Sequence, residues 1–474
     1  MDLNKIHSIY FLGIGGIGMS ALARYFNAMG KKVAGYDKTS TKLTDELIAE
    51  GIEIHFEDHI RNIPKYFKEL PFDTDNILIV FTPAVPFDHS EYVFFNLNGF
   101  NIKKRAEVLG MITQSAHTIA VAGTHGKTTT SSLVAHILKS AGLDPSAFLG
   151  GITQNYNTNL LLSSGLKKDI SPSPSERAGV SSLIVVEADE YDRSFLTLHP
   201  EIAVITSVDA DHLDIYGDKN QVEESFSLFA KQVKSKLILK KSIVGKVNAN
   251  ISPITYSVND ESADYFAKDI KIENGFYKYA IVTPTAIFEN LTLGLPGLHN
   301  VENSVAAVAI ACQLNISEDI ISKALASFKG VKRRFDYHIK TEKLVYIDDY
   351  AHHPEELKAA ISSAKEMYPG KKITGIFQPH LFSRTRDFAD DFARSLDLLD
   401  ECILMEIYPA RELPIEGVSS QMLLNKMKST NKSICQKSDL IEEVAKRDIE
   451  ILMTMGAGDI DTFVEPIKIE LTKK

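Results

Sequence analysis

Short, largely apolar runs alternate with helix-compatible stretches through the first hundred residues. The runs at 8–12, 32–36 and 77–82 stop at glycine, at an acid or at proline, and residues 19–29 fit a helix between the first two. Strands that are buried on both faces of a parallel sheet have such continuous apolar sequences, because neither face meets water. The pattern therefore predicts a parallel α/β unit that closes near Gln114.

The same alternation begins again after Gln114 and a third time near Gly330. The second cycle predicts strands at 117–122, 183–186 and 202–205 and helices at 129–140 and 301–314. It also predicts a stretch rich in strand-forming residues at 238–279. The third predicts four strands with helices between them, at 345–347, 372–377, 401–406 and 449–455. Residues 169–182 combine Pro, Ser and Gly without periodicity and are predicted to be a surface loop.

These cycles predict an α/β chain of three doubly wound domains, at 1–114, 115–328 and 329–474. In such sheets ligands bind beyond the carboxyl ends of the strands, at the point where the strand order reverses. The polar residues that end the predicted strands are therefore where we expect the chemistry.

Composition and charge narrow the class of protein. The 474 residues carry 52 Lys and Arg against 62 Asp and Glu, a formal charge of −10, which argues against binding to nucleic acid or to a membrane surface. Cys312, Cys402 and Cys435 are too scattered for a metal site or a disulfide framework. No apolar run reaches the roughly 18 residues of a membrane span, and the residues before the first glycines leave no room for a signal peptide. We therefore expect a cytoplasmic protein.

A glycine loop, GIGGIG at 13–18, follows the first predicted strand and precedes the first helix. Such G-x-G-x-x-G loops allow a diphosphate to approach the backbone at a helix N-terminus. Asp37 ends the next strand, where a carboxylate can bind a ribose hydroxyl. The motif fits NAD or FAD, another diphosphate such as a UDP-sugar, or glycines that only allow close packing, and by itself it leaves these three open.

A second glycine loop, GTHGKTTT at 123–130, follows a buried strand and opens a helix. Its Gly126-Lys127-Thr128 step matches the end of a P-loop, in which amides cradle phosphates, the lysine meets the terminal phosphates and the hydroxyl binds Mg²⁺. Val121 stands where the full pattern has its first glycine, so the loop is a shortened variant. Acids end the next two strands, in EADE at 187–190 and DADHLD at 209–214. The sequence therefore predicts a site for a nucleoside triphosphate with metal ligands from two strand ends.

Taken together and in this order, these motifs resemble the Mur ligase family, the ATP-dependent amide-forming enzymes of peptidoglycan synthesis. The resemblance continues through GLHNVEN at 297–303, KRRF at 332–335, DDYAHHP at 348–354, FQPH at 377–380 and IYPARELPIEGV at 407–418. It implies a Rossmann-like N-terminal domain that binds a UDP-sugar and a central P-loop ATPase-type domain. It also implies a Rossmann-like C-terminal domain that closes over ATP and the amino acid.

The resemblance implies a role for each matching residue. ATP is expected to contact Gly123, Thr124, His125, Gly126, Lys127, Thr128, Thr129, His299, Asn303, Arg334 and Asp349. The other substrates are expected to contact Gly15, Gly16, Gly18, Asp37 and Thr82 on the UDP-sugar side, and Tyr350, His352, His380 and Arg384 on the amino-acid side. The expected metal ligands are Thr128, Glu187 and His212, and the expected catalytic residues are Lys127, Arg334 and His352.

The particular versions of these motifs imply one reaction within the family. They favour ATP-dependent ligation of L-alanine to the lactyl carboxylate of UDP-N-acetylmuramate through an acyl phosphate, with two Mg²⁺ ions for which Mn²⁺ can substitute. The alternative is the related ligase that recycles a tripeptide onto the same nucleotide and lacks the FQPH-x-x-x-RTRDF and IYPARE segments. The expected partners are UDP-N-acetylmuramate, L-alanine and ATP, without nucleic acid or membrane, for a monomer or weak homodimer in the bacterial cytoplasm.

Two departures from the family pattern change these expectations. Leu381 stands where many relatives carry arginine, which leaves Arg384 or Arg386 to meet the carboxylate of the amino acid. Several ligases of the family bridge their metals with a carbamylated lysine, but the spacing of Lys231 from His212 does not match, and Lys231 is not assigned. From the residues alone two other classes stay open, an NAD- or FAD-dependent enzyme and a nucleotide-binding switch without catalysis.

Overall fold

The structure is a computed structural model and describes residues 2–114, 116–166, 183–209, 216–273, 275–410 and 412–473. The predicted loop 169–182 and the predicted metal ligand His212 lie outside these residues. Among the helices of the described ranges, none has the length and apolar character needed to cross a membrane.

The chain divides into two compact units. The first combines Met1–Lys268, Ala280–Leu291 and Glu302–Phe328. The second combines Asp269–Tyr279, Thr292–Val301 and Lys329–Lys474. Each is described by itself below.

The first unit begins with a sheet of five parallel strands in the order β3-β2-β1-β4-β5. These are β1 (Ser8–Leu12), β2 (Lys32–Tyr36), β3 (Glu53–His55), β4 (Ile77–Phe81) and β5 (Asn101–Lys104). The helices are α1 (Ile17–Ala28), α2 (Lys42–Ala49), α3 (Ser90–Leu97) and α4 (Arg105–Gln114). β1 and β4 are buried along their whole length because apolar clusters cover both faces of the sheet. The order is Rossmann-like and reverses between β1 and β4, where the first glycine loop begins.

The second sheet has ten strands in the order β15-β14-β13-β12-β11-β10-β6-β9-β7-β8. They are β6 (His117–Ala122), β7 (Ser146–Thr153), β8 (Thr158–Leu161), β9 (Leu183–Ala188), β10 (Ile202–Ile205), β11 (Lys236–Lys240), β12 (Ile254–Ser257), β13 (Tyr265–Glu273), β14 (Phe276–Val282) and β15 (Ile287–Leu293). The helices are α5 (Lys127–Ser140), α6 (Lys219–Lys231), α7 (Leu298–Gln313) and α8 (Glu318–Ser327). β6 is parallel to both of its neighbours, β9 and β10, so the second glycine loop, the acidic segment after β9 and Asp209 after β10 lie beyond one edge of this sheet.

The third sheet belongs to the second unit and has the order β16-β17-β21-β18-β19-β20. Its strands are β16 (Asp336–Lys340), β17 (Val345–Asp349), β18 (Ile373–Phe377), β19 (Glu401–Met405), β20 (Lys432–Cys435) and β21 (Ile451–Met455). Its helices are α9 (Pro354–Met367), α10 (Phe382–Asp387), α11 (Ala389–Leu396), α12 (Ser420–Lys426), α13 (Leu440–Ala445) and α14 (Val464–Leu471). Only the edge strand β16 is antiparallel to its neighbour among the described pairings. Apolar clusters cover both faces of the four central strands.

The predicted α/β fold with three sheets is confirmed, and the differences lie at element ends and in elements that the sequence did not predict. The helix predicted at 129–140 begins at Lys127, and the helix predicted at 301–314 begins at Leu298, because both start directly after a glycine with positive φ. The predicted stretch 238–279 contains strands β11 to β14 of the second sheet. Seven of the described strands were not predicted: β3, β5, β7, β8, β15, β16 and β20.

Candidate active site

The second glycine loop joins β6 to α5, and its two glycines take conformations that other residues rarely adopt. Gly123 has a φ of +135° and Gly126 a φ of +81°. A Cβ atom on Gly123 would lie 2.1 Å from Thr206 Oγ1, and one on Gly126 would lie 2.7 Å from Asn303 Oδ1. Glycine is therefore required at both positions, and the loop can turn its amide groups toward a phosphate.

The other residues of this loop hold it against the end of β10. The His125 N–H donates to Ser207 Oγ at 2.8 Å, and Thr124 Oγ1 accepts from the Asp209 N–H at 2.8 Å. Thr129 lies in the first turn of α5. The tertiary structure thus brings the predicted phosphate-binding residues together at the carboxyl ends of β6 and β10.

Lys127 folds back over the loop into a buried ion pair. Its Nζ donates to the Gly123 carbonyl at 2.7 Å and lies 2.7 Å from Glu190 Oε2, with the Lys127 and Glu190 side chains 13% and 3% exposed. Burial disfavours the ammonium, but the neighbouring carboxylates, Glu190 foremost, raise the pKa of Lys127. Burial also raises the pKa of Glu190 to about 7, against the effect of the Lys127 charge. Lys127 is therefore charged at the position where a P-loop lysine meets terminal phosphates.

Thr128 and Glu187, two of the three predicted metal ligands, are in contact. Thr128 Oγ1 donates to Glu187 Oε1 at 3.1 Å, and the Gly150 N–H donates to Glu187 Oε2 at 2.9 Å. Burial raises the pKa of Glu187, although Lys127 opposes the shift. A hydroxyl and a carboxylate are oxygen donors of the kind that Mg²⁺ prefers, and Mg²⁺ commonly takes its other ligands from phosphate and water. The pair therefore fits a Mg²⁺ site beside the phosphate loop.

The third predicted metal ligand, His212, lies outside the described residues. In the part of the chain that the structure does describe, no three His, Cys, Asp or Glu side chains converge in a way that could hold a metal ion. The imidazole of His125 lies 3.9 Å from Asp209 Oδ2, the last described acid before His212. A second metal ion accordingly stays a prediction.

The first glycine loop opens between β1 and β4. Gly13 has a φ of +86°, and a Cβ atom there would lie 2.6 Å from Thr82 Cγ2. The Gly15 N–H donates to Asp37 Oδ2 at 2.7 Å, so this carboxylate supports the loop, whereas its contact with a ribose stays a prediction. Gly16 is the N-cap residue of α1, and because it has no side chain it does not accept a hydrogen bond from the N–H groups of the first turn. The N-terminus of α1 can therefore receive a diphosphate.

Arg105 contacts the first glycine loop and the acidic segment after β9, and it is absent from the residues that the sequence predicted. A Cβ atom on Gly18 would lie 2.8 Å from Arg105 Nη1, so the guanidinium covers the start of α1. The same guanidinium lies 3.5 Å from Asp189 Oδ2, in the acidic segment after β9. Beside it, Lys104 Nζ lies 2.8 Å from Asp192 Oδ2. An arginine here suits a diphosphate on the first loop, and a basic run at the carboxyl end of β5 was the available signal.

In the second unit the two adjacent arginines have different roles. Arg333 Nε donates to Asp348 Oδ2 at 3.0 Å and stabilises the end of β17. Arg334 Nη1 lies 3.6 Å from Glu356 Oε1, and its guanidinium lies over the Tyr350 ring, 5.4 Å from the centroid. Arg334, the predicted ATP contact, is therefore held by a carboxylate and an aromatic ring.

Asp349 ends β17, is buried and binds the backbone. Its carboxylate accepts from the N–H groups of Phe335 at 2.7 Å and Ala351 at 2.8 Å. Burial raises the pKa of Asp349 to about 6, although Arg334 opposes the shift. Both oxygens thus stabilise the turn that leads into His352, and the predicted contact of Asp349 with ATP stays a prediction.

Tyr350, His352 and His380 form a line of rings at the ends of β17 and β18. The ring centroids are 5.1 Å apart between Tyr350 and His352 and 6.1 Å apart between His352 and His380. His380 also stacks on Tyr408 at 5.9 Å, a residue that the sequence did not single out. His352 Nδ1 lies 3.0 Å from the Tyr350 carbonyl, an acceptor, so Nδ1 carries the proton and Nε2 is left as the acceptor of the neutral ring. Burial lowers the pKa of His352, which favours that neutral form.

Leu381, which departs from the expected family pattern, is buried and has a φ of +69°. Its N–H donates to the Tyr408 carbonyl at 3.0 Å, and α10, which carries Arg384, begins at the next residue. The conformation costs leucine about 1–3 kcal/mol, and such strain is concentrated at functional sites. The charge of Arg384 helps to lower the pKa of His352, so Arg384 is the arginine near the line of rings.

His299 and Asn303 lie four residues apart on α7 but belong to different units. Burial, with the charge of Arg334, lowers the pKa of His299 to about 4, so its ring is neutral. Asn303 Oδ1 lies at the phosphate loop, against Gly126. A neutral imidazole and a side-chain amide are suited to contacts with the adenine ring. The adenine pocket itself stays a prediction.

Three family models match successive parts of the chain. "Mur ligase family, catalytic domain" matches residues 8–117, "Mur ligase middle domain" matches 121–311, and "Mur ligase, glutamate ligase domain" matches 333–460. Together they cover most of the chain, in the order of the three sheets.

Individual relatives match over the full length. The UDP-N-acetylmuramate–L-alanine ligase of Flavobacterium johnsoniae is 52% identical over 470 residues, which covers 99% of this chain and 98% of that protein. The crystal structure of the UDP-N-acetylmuramate-alanine ligase of Thermotoga maritima has a TM-score of 0.80 at 27% identity and covers 98% of this chain and 99% of its own. A murein peptide ligase of Psychrobacter arcticus has a TM-score of 0.69 at 22% identity, with 99% of each chain covered, and shares the fold.

Proposed function

We propose a function for this chain from the premise that it belongs to the Mur ligase family, which the three matching models show. The chain is an ATP-dependent ligase that joins L-alanine to the lactyl carboxylate of UDP-N-acetylmuramate, with UDP-N-acetylmuramoyl-L-alanine, ADP and phosphate as products. The observation that carries this function is the 52% identity, over 99% of the chain, to a relative that is named for this reaction. The alternative, tripeptide recycling, is not favoured.

The two glycine loops support this reaction because both lie in the first unit and Arg105 contacts the surroundings of both. When the UDP-sugar is bound at the first loop and ATP at the second, the lactyl carboxylate of the sugar and the γ-phosphate of ATP are brought close to each other. Arg105 is proposed to bind the diphosphate, with Gly15, Gly16, Gly18, Asp37 and Thr82 around it. Positioning of two bound reactants accounts for much of the rate of such reactions.

Phosphoryl transfer to the lactyl carboxylate converts a poor electrophile into an acyl phosphate with a good leaving group. Lys127 is proposed to exchange its ion pair with Glu190 for the β- and γ-phosphates and to stabilise the charge that develops on them. Thr128 and Glu187 would hold Mg²⁺, which would neutralise phosphate charge. A second Mg²⁺ on His212, and the substitution of Mn²⁺, belong to the same proposal.

Amide formation then falls to the residues of the third sheet. The amine of L-alanine attacks the acyl carbon through a tetrahedral intermediate, phosphate leaves, and the amine gives up a proton. His352 is proposed to accept that proton on Nε2, because Nδ1 is engaged with the Tyr350 carbonyl. Arg384 and His380 are proposed to bind the carboxylate of the amino acid, with Tyr350 beside them, and Arg334, Asp349, His299 and Asn303 to bind ATP.

The remaining assignments are also proposals. We place the domain boundaries at 1–114, 115–328 and 329–474, which the ranges of the matching models support. The use of ATP and a UDP-sugar supports activity in the bacterial cytoplasm. We expect a monomer or a weak homodimer.

The test is phosphate release from ATP with UDP-N-acetylmuramate and, in separate reactions, L-alanine, glycine, L-serine or the tripeptide. We expect release that depends on L-alanine and a product whose mass is that of the two substrates joined as an amide. Release that depends on the tripeptide and not on L-alanine would contradict the proposal and identify the recycling reaction.

A further inference from the structure

We propose that Glu356 is a positioning residue that holds His352 and Arg334 in one arrangement, and so links the amino-acid end of the site to its ATP end. The proposal rests on the proposed function for the roles of these two residues. Its geometric basis is independent of that function, because one carboxylate contacts both side chains.

The backbone orients Glu356. Glu356 is the third residue of α9, and it forms a capping box with His353, the N-cap residue. Its Oε2 accepts from the N–H of His352 at 3.0 Å and from the N–H of His353 at 3.3 Å. Pro354 at the start of the helix keeps this turn in helical geometry. The carboxylate is therefore aimed back at His352 rather than along the helix surface.

The two carboxylate oxygens of Glu356 contact two different side chains. Glu356 Oε2 lies 3.2 Å from His352 Nδ1, and Oε1 lies 3.6 Å from Arg334 Nη1. The Glu356 side chain is 18% exposed, so solvent screens these contacts less than it would on an open helix surface. The Tyr350 carbonyl and Glu356 together accept the proton on Nδ1, which leaves Nε2 as the acceptor of the neutral ring.

The charges around His352 have opposing effects. Burial lowers its pKa, the Glu356 carboxylate raises it, and the guanidinium groups of Arg384 and Arg334 lower it. The rings of Tyr350 and His380 complete its surroundings. The proton affinity of Nε2, the atom proposed to take the amine proton, therefore depends on the charge of Glu356 and not only on the shape of the turn.

The test compares Glu356→Gln with Glu355→Gln. In E356Q the introduced amide oxygen can still accept from the two N–H groups, so the turn is retained while the charge is lost. Glu355 lies one residue earlier with its side chain 69% exposed and 3.9 Å from Lys358 Nζ, so the control removes the same charge at the helix surface. We expect kcat/KM for L-alanine to fall about tenfold or more in E356Q, as for loss of a charge-assisted hydrogen bond, and to change little in E355Q.

The pH profile separates positioning from a structural role. Loss of the Glu356 carboxylate lowers the pKa of His352, so the acid limb of kcat/KM is expected to move to lower pH in E356Q and to stay in place in E355Q. The same shift is expected in an NMR titration of His352, which does not depend on turnover. Combined with His352→Ala, E356Q is expected to cause a smaller loss than it causes alone, because the contact with His352 is already absent and only the contact with Arg334 remains to be removed.

An unchanged His352 titration in E356Q would overturn the proposal, as would equal effects of E356Q and E355Q on kcat/KM. Failure of the proposed function is distinguishable, because it would appear as the absence of L-alanine-dependent phosphate release in the unmodified protein. The NMR titration then still decides whether Glu356 controls His352. Thermal unfolding of each variant confirms that the fold is retained.

Discussion

Lys127→Met removes the ammonium of the phosphate loop and keeps an apolar side chain of similar length. The ammonium lies 2.7 Å from Glu190 Oε2, and the side chains are 13% and 3% exposed, so the change leaves a buried carboxylate without its counter-ion. Removal of one member of a buried ion pair costs about 3–5 kcal/mol. We therefore expect K127M to lose unfolding free energy of that order together with its activity.

Protonation of Glu190 limits this loss and determines its pH dependence. Burial raises the pKa of Glu190 to about 7 in the presence of Lys127, and without Lys127 the pKa rises further. A carboxyl group with a raised pKa binds more protons in the folded than in the unfolded protein, so its folded state loses stability as pH rises. The cost of K127M is therefore smallest below about pH 7, and above it grows by up to about 1.4 kcal/mol per pH unit.

The double variant K127M/E190Q separates stability from catalysis. The E190Q change makes this side chain neutral at every pH, so we expect most of the lost stability to return and its pH dependence to disappear. Activity stays lost, because the phosphates still lack the ammonium, and one such electrostatic contact is worth about 10²- to 10³-fold in kcat.

Urea unfolding between about pH 6 and 9 measures the stability of each variant, and phosphate release measures turnover. A K127M protein with near-normal turnover would refute the role of Lys127. A double variant no more stable than K127M would refute the ion-pair reasoning.

Four further changes test other parts of the site and the fold. Glu187→Gln is expected to raise the Mg²⁺ concentration needed for half-maximal phosphate release by about tenfold or more, and an unchanged Mg²⁺ dependence would count against this ligand. Gly126→Ala adds a Cβ atom 2.7 Å from Asn303 Oδ1 at a φ of +81°, so calorimetry should find ATP binding weakened by at least about tenfold. Arg105→Ala is expected to raise KM for UDP-N-acetylmuramate about tenfold and to leave KM for ATP within about twofold, which initial-rate kinetics can check. Burial raises the pKa of Glu91 to about 7, so the protein should lose stability as pH rises from about 5 to 7, and melting curves of Glu91→Gln should lack that loss.

The features that could be predicted from the sequence are local. Both glycine loops, the strands before them and the helices after them lie within short segments, and each predicted strand of the first sheet is present in the structure. The spacing of Gly126, Lys127 and Thr128 already places a lysine and a hydroxyl at a helix start. Acids near Thr128 were also expected, because parallel strands bring their carboxyl ends to one edge. Glu187 was named as a ligand only by the family resemblance, and the structure shows its contact with Thr128.

The contacts that were missed join residues from separate segments of the chain. Arg105 covers Gly18, which lies far earlier in the chain, and contacts Asp189, 84 positions later. Glu190 is one of three acids in the EADE segment, but its pairing with Lys127 depends on the packing of β9 beside β6. Glu356 lies just beyond the HHP segment, and its link to Arg334 arises because the chain returns through β16 and β17.

The sequence by itself determined the α/β class, the three cycles of strand and helix, and the residues able to hold phosphates, because short-range periodicity and glycine spacing encode these directly. The tertiary structure alone decided which charges are paired, which are buried and which are left to meet a ligand. Those properties depend on distances of a few ångströms between residues far apart in sequence. A carboxylate such as Glu190 has an ordinary pKa in water and one of about 7 when buried against Lys127, and no feature of its own segment indicates the difference.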